Sequence, residues 1–193
     1  MSLSFGGLFV LCAVAQAVSG ATLYREQHAA GDDLLQFLQT GTFLDGMFVN
    51  WQAAILQLAC LIIFGTFLFQ KGATHSKKQR RGADNGHRRL SSWIYRNSLG
   101  SAFVFLFVAF FALHLVFGTH AYNEERALTG EAPVSVAYFA TSAKFWFSNF
   151  QTWEAEFLAI VFYLVLSIYL RQQSSPESKP TGAANTETGE ANK

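Results

Sequence analysis

Phe43-Leu44-Asp45-Gly46-Met47-Phe48-Val49-Asn50-Trp51 and Phe145-Trp146-Phe147-Ser148-Asn149-Phe150-Gln151-Thr152-Trp153 carry Phe, Phe and Trp in one frame, 102 residues apart. Downstream, the same offset sets Gln70 on Gln172 and Ser76-Lys77 on Ser178-Lys179. Upstream, Gly20-x3-Tyr24-x-Glu26 falls on Gly118-x3-Tyr122-x-Glu124 at an offset of 98. The change of offset is a net insertion of four residues between the helices of the second copy. Residues 2–77 and 98–179 therefore read as two copies of one unit. Each copy holds two long apolar stretches, which predicts two helical hairpins and an all-α integral membrane four-helix bundle.

The distribution of charge supports that architecture over a soluble domain. No Asp, Glu, Lys or Arg occurs between Met1 and Arg25, between Asp45 and Lys71, or between Arg96 and Glu124. A hydrocarbon core of about 30 Å needs roughly 20 helical residues, and backbone groups in lipid must be paired within their own element. The stretches predict spans over 3–23, 47–69, 99–119 and 152–171. Being apolar on every face, they differ from the one-sided helices of a soluble bundle. The boundaries that follow are a first hairpin over 1–78, a basic linker over 79–97, a second hairpin over 98–173 and a disordered tail over 174–193.

Basic residues in short loops set orientation. Segment 70–97 holds Lys71, Lys77, Lys78, Arg80, Arg81, Arg88, Arg89 and Arg96 against Asp84 alone. Loop 24–48 has Arg25 against Glu26, Asp32, Asp33 and Asp45, and loop 122–152 has Arg126 and Lys144 against Glu124, Glu125 and Glu131. The central segment and both termini are expected in the cytoplasm and the two acidic loops outside, in a bacterial inner membrane. The basic run is read as a topology signal that touches anionic lipid, not as a nucleic-acid site.

Ala13-Val14-Ala15 and Ser19-Gly20-Ala21 resemble cleavage sites, but the first stretch lacks a basic n-region and matches the third span, so its retention is expected. The second copy is led in by Trp93-Ile94-Tyr95-Arg96-Asn97, for which Met1 leaves no counterpart; an earlier native start is the expectation. Cys12 and Cys60 offer neither a disulfide framework nor metal spacing. Two short apolar runs, 34–38 and 134–139, predict surface helices ahead of the second and fourth spans, with Asp32 or Asp33 as a cap and Pro133 in a first turn. Phe145, Trp146, Phe147, Phe150 and Trp153, like Phe43, Phe48 and Trp51, read as interface anchors.

Polar side chains inside spans are costly and normally face protein or water. Gln16, Gly20 and Tyr24 recur on one helix face, and His114, Gly118 and Tyr122 occupy the same frame. Glu156 is the second oddity. Only 14 uncharged residues separate it from Arg171, a rise of about 21 Å, so a charge must dip into the core. Depth counting pairs His114 with Glu156, and His114, Glu156 and Gln16 form the candidate intramembrane polar site. Tyr122, Glu124, Glu125, Trp153 and Glu154 form a candidate outer acidic and aromatic patch. No metal cluster, phosphate loop or nucleophile motif is recognisable.

Tyr122-Asn123-Glu124-Glu125, Gly130-Glu131-Ala132-Pro133-Val134-Ser135, Trp153-Glu154-Ala155-Glu156-Phe157-Leu158 and Ser174-Ser175-Pro176-Glu177-Ser178-Lys179-Pro180 together resemble a family of small bacterial membrane proteins catalogued as a domain of unknown function, number 6766. The resemblance spans the chain and its tandem layout, and implies no activity, cofactor or catalytic residue. The first copy departs from it at Trp51-Gln52-Ala53-Ala54, which lacks acids after the Trp. The expected role is a non-enzymatic structural or partner-binding component, without cofactor, whose partners are the lipid bilayer and either a homo-oligomer or another membrane protein. The alternative is a small transporter or proton-conducting unit using His114 and Glu156.

Overall fold

The computed structural model describes residues 2–28, 34–68, 70–73, 97–175 and 177–187. Among the described residues six helices follow one another and no strand occurs: α1 Ser2–His28, α2 Leu34–Phe37, α3 Gly41–Phe67, α4 Ser98–Leu128, α5 Val136–Ala140 and α6 Ala143–Tyr169. The long four, α1, α3, α4 and α6, are apolar and long enough to cross a membrane. Their outward side chains are those that water rejects and hydrocarbon accepts: Phe5, Leu11, Phe105, Val108, Leu158 and Phe162 are each more than half exposed. Asp32, Asp33 and most of the basic linker lie outside the described residues.

The helices overrun the predicted spans. α3 begins at Gly41 and α4 continues to Leu128, because caps rather than the edge of the apolar run end them. α4 stops in a Schellman turn: Gly130, at φ 72°, is in the left-handed region, and Gly130 N donates to Ala127 O while Glu131 N donates to Arg126 O. At the start of α3, Thr40 Oγ1 accepts from Phe43 N at 3.2 Å. At the start of α6, Ser142 Oγ accepts from Phe145 N at 3.2 Å. Each hydroxyl satisfies one orphan donor of a first turn. The two predicted surface helices form as α2 and α5. Pro133, expected in the first turn of the second surface helix, lies ahead of α5, which Ser135 caps, its Oγ accepting from Tyr138 N.

The chain divides into two compact units, Met1–Asn50 with Phe110–Ser148, and Trp51–Ala109 with Asn149–Lys193. This grouping takes parts of α3, α4 and α6 into each unit. The core of the first unit is aromatic. Tyr24 and Phe37 lie 5.5 Å apart by ring centroids, and Phe37 and Phe43 lie 5.3 Å apart. Tyr122 and Phe139 lie 5.4 Å apart, and Phe139 and Phe145 also 5.4 Å. Gly20 and Gly118 are where Phe37 and Phe139 dock: an added Cβ would come within 2.7 Å of the Phe37 ring and 2.9 Å of the Phe139 ring.

The second unit is held by polar side chains. Gln52 and Asn149 are fully buried. Gln52 Nε2 donates to Asn149 Oδ1 at 3.0 Å, and Trp153 Nε1 donates to Gln52 Oε1 at 3.1 Å. In a setting that lacks hydrophobic drive between helices, such bonds and close packing hold them together. The tail, expected to lack structure, carries turns over its described part. Arg171 donates to Ala183 O at 3.0 Å and to Asn185 Oδ1 at 2.9 Å. Lys179 is buried, with Nζ donating to Asn185 O and Glu187 O. Burial, followed by the nearby Arg171 charge, holds the Lys179 ammonium below its ordinary pKa, and Glu187 opposes them.

Candidate functional site

The site lies in the first unit and begins with a glycine. Gly118 sits one turn beyond His114 on α4, and the space its missing side chain leaves is filled by a carboxylate. A Cβ there would lie 2.6 Å from Asp45 Oδ1. Asp45, in the second turn of α3, thereby reaches His114, with Oδ1 and Nδ1 2.7 Å apart. His114 is 1% exposed while the Asp45 side chain is 27% exposed. The imidazole also stacks on Phe145, centroids 5.1 Å apart at 20°. A buried ring is thus held between an aromatic face and an acid that opens to the surface.

The acid on His114 Nδ1 is therefore Asp45, which corrects the expected pairing with Glu156. Glu156 belongs to the second unit, where its main-chain carbonyl accepts from Gln57 Nε2 at 3.0 Å. Depth counting failed because α3 begins earlier than its apolar run. The charge pattern puts Asp45 in a loop, yet it lies inside α3 and reaches His114 of α4.

Beside the pair, Glu124 of α4 accepts from Gly41 N at 2.9 Å and from Thr42 N at 3.4 Å. A carboxylate over the first N–H groups of α3 complements both the orphan donors and the helix dipole. Thr42 Oγ1 donates to the same group at 3.2 Å. Glu125 pairs with Lys144, whose ammonium also lies 5.0 Å from the Tyr122 ring centroid. These groups line an open cavity of about 420 Å³, with Phe139 and Leu128 as apolar wall and His114 and Asp45 among its polar lining. Among the described residues no set of three His, Cys, Asp or Glu could hold a metal ion.

Of the predicted site residues, His114, Tyr122, Glu124 and Glu125 come together here. Gln16 is exposed on α1. Trp153, half-buried, donates to the buried Gln52 of the second unit, and Glu154 is exposed. Sequence reasoning missed Asp45, Lys144, Gln52 and Asn149. An acid three residues before Phe48 and a carboxamide right after Trp51 were signals available in the chain, each out of place beside an apolar run.

Four helices fit to cross a membrane, with a buried imidazole held by a part-exposed carboxylate on the wall of an open cavity, define the class. The chain belongs to the family described as "Domain of unknown function (DUF6766)", whose model matches residues 1–190. No curated protein and no solved structure matches it.

Proposed function

We propose that this chain is a non-enzymatic multi-pass protein of the bacterial inner membrane that binds a partner at the cavity beside His114 and Asp45. The observation that carries the reading is the buried imidazole, 1% exposed and held 2.7 Å from the half-open Asp45 carboxylate. Desolvating a polar ring inside an apolar helix is costly. Here an acid on the wall of an open cavity that also presents Glu124, Glu125 and Lys144 offsets part of that cost. Convergent polar groups over an apolar floor suit recognition.

Charge bias gives the remainder of the reading. The basic middle segment and both ends face the cytoplasm, and the loops that carry the cavity face outward. Two hairpins in the same sense are parallel repeats about an axis along the membrane normal. The matched Tyr24–Phe37–Phe43 and Tyr122–Phe139–Phe145 clusters support that duplication.

Cross-linked co-purification from native membranes, read by quantitative mass spectrometry, tests the role. Glu125 is 61% exposed, so Glu125→Lys reverses charge on the cavity wall without touching the core. Wild type should recover a defined set of membrane proteins that the variant loses; identical recoveries end the proposal. A second reading, proton conduction, draws on the same His114–Asp45 pair. Liposomes holding the protein and a pH-sensitive dye should then show a flux that Asp45→Asn abolishes, whereas flux equal to empty liposomes rejects conduction.

A further inference from the structure

We infer that Arg171 and Lys179, just beyond the end of α6, form a binding site for a phosphate group, carried by an anionic lipid or free in solution. Arg171 is the first charged residue after the apolar run of α6, and its guanidinium works on two sides. On one, Nη1 donates to Ile168 O at 3.0 Å and to Leu170 O at 2.9 Å, which satisfies carbonyls at the helix end. On the other, Nη2 donates to Ala183 O and Asn185 Oδ1. Nε, on that same edge, is shielded from solvent and meets no acceptor among the described residues. A buried donor left unpaired is destabilising, most of all on a charged group. The Nε–Nη2 edge carries two parallel donors that match a two-oxygen anion, and here one of the two is unfilled.

Lys179 converges on the same place. It is 2% exposed, and Nζ donates to Asn185 O at 3.1 Å and to Glu187 O at 3.0 Å. Asn185 therefore lies between two cations and gives each a neutral oxygen, Oδ1 to Arg171 and the main-chain O to Lys179. Gly72, at φ 88°, lets it sit there. A Cβ on Gly72 would lie 2.6 Å from Asn185 O and 3.2 Å from the Ile168 side chain. The result is a cradle built from the end of α6, the Gly72 turn and the tail around two positive charges. Glu187 brings a counter-charge from an exposed position, yet burial and then Arg171 still hold the Lys179 ammonium below its ordinary pKa.

Buried charges are normally paired with an opposite charge, and an anion at Asn185 would meet both cations and the open Nε at once. A carboxylate spends both oxygens on the guanidinium edge. A phosphate fills that edge and keeps a third oxygen for the ammonium, so the donor set fits phosphate better. The ligand takes the place of the two Asn185 oxygens, and the tail turn that carries them moves aside. Tyr169 and Leu170, immediately before Arg171, are 63% and 60% exposed. With α6 as a membrane span, the cradle stands at headgroup depth, where anionic lipid phosphates are concentrated. The lipid source rests on that span; binding of free phosphate does not.

The test uses the full chain in maltoside micelles with its arginines labelled with nitrogen-15. Inorganic phosphate and a short-chain phosphatidylglycerol are titrated separately. The Arg171 Nε–H resonance, assigned by its loss in Arg171→Lys, should shift and saturate. A response to phosphatidylglycerol alone identifies the headgroup as source, to phosphate alone the free anion, and to both the shared chemistry; no saturable shift with either overturns the site. By calorimetry, affinity should fall about tenfold or more in Arg171→Lys and in Lys179→Gln, the loss of one charge-assisted hydrogen bond. Lys71→Gln, at an exposed lysine of the same unit, should bind as wild type does; an equal loss there would mean diffuse charge attraction and overturn the site. Asn185→Asp keeps the question open to disproof where the other variants fail to fold. It sets a carboxylate between the two cations, so it should raise the melting temperature while weakening phosphate binding. An Asn185→Asp protein that melts lower than wild type, or binds phosphate as tightly, overturns the proposal.

Discussion

His114 and Asp45 meet side chain to side chain at 2.7 Å, so their substitutions should not add. Asp45→Asn leaves the buried ring facing a neutral amide, and His114→Gln leaves the acid without its imidazole. Each single variant should unfold at lower denaturant concentration or temperature than wild type, because truncating one partner of a buried polar pair leaves the other desolvated. The double variant should lose less than the sum, with a coupling of about 0.5–3 kcal/mol. Additive losses would show that the 2.7 Å approach contributes nothing. At this scale the chain was half legible. His114 stood out as a lone polar residue within an apolar run, but Asp45 looked like loop charge, and side-chain partners depend on helix starts that hydropathy does not locate.

The first residue of α3 lies against the backbone of α4, and that close approach depends on Gly41. A Cβ there would lie 2.4 Å from Ala121 N and 2.7 Å from His120 C, both backbone atoms. Backbone cannot give way as a flexible side chain can, so α3 or α4 would have to move, and with them the carboxylate of Glu124 that caps Gly41 and Thr42. Gly41→Ala should therefore cost at least the 1–3 kcal/mol typical of overpacking. Gly46→Ala and Gly6→Ala, with nothing within 4 Å, should be neutral or slightly stabilising through helix propensity. Unfolding of the three variants side by side checks the ranking; equal effects would mean that the crossing tolerates separation. The existence and order of the long helices were readable from charge-free stretches. Their ends were not, since Thr40, Ser142 and the Gly130 turn set them by hydrogen bonding that an apolar pattern does not encode.

For the whole molecule, the number of crossings and their sense govern every functional reading. In the proposed topology four crossings would bring the middle segment and both ends to one side, and the eight basic residues between 70 and 97 would put that side in the cytoplasm through the positive-inside bias. Thr129, in the exposed turn after α4, and Ser174, exposed after α6, sit at opposite ends of the path through α6. In a cysteine-free protein, Thr129→Cys on intact spheroplasts should react with an impermeant maleimide, while Ser174→Cys should react only after the membrane is opened. Reversed labelling would invert the topology and place the His114 cavity toward the cytoplasm. Labelling of both sites in intact cells would mean an odd number of crossings between them has been lost, which no arrangement of α6 as a membrane span allows.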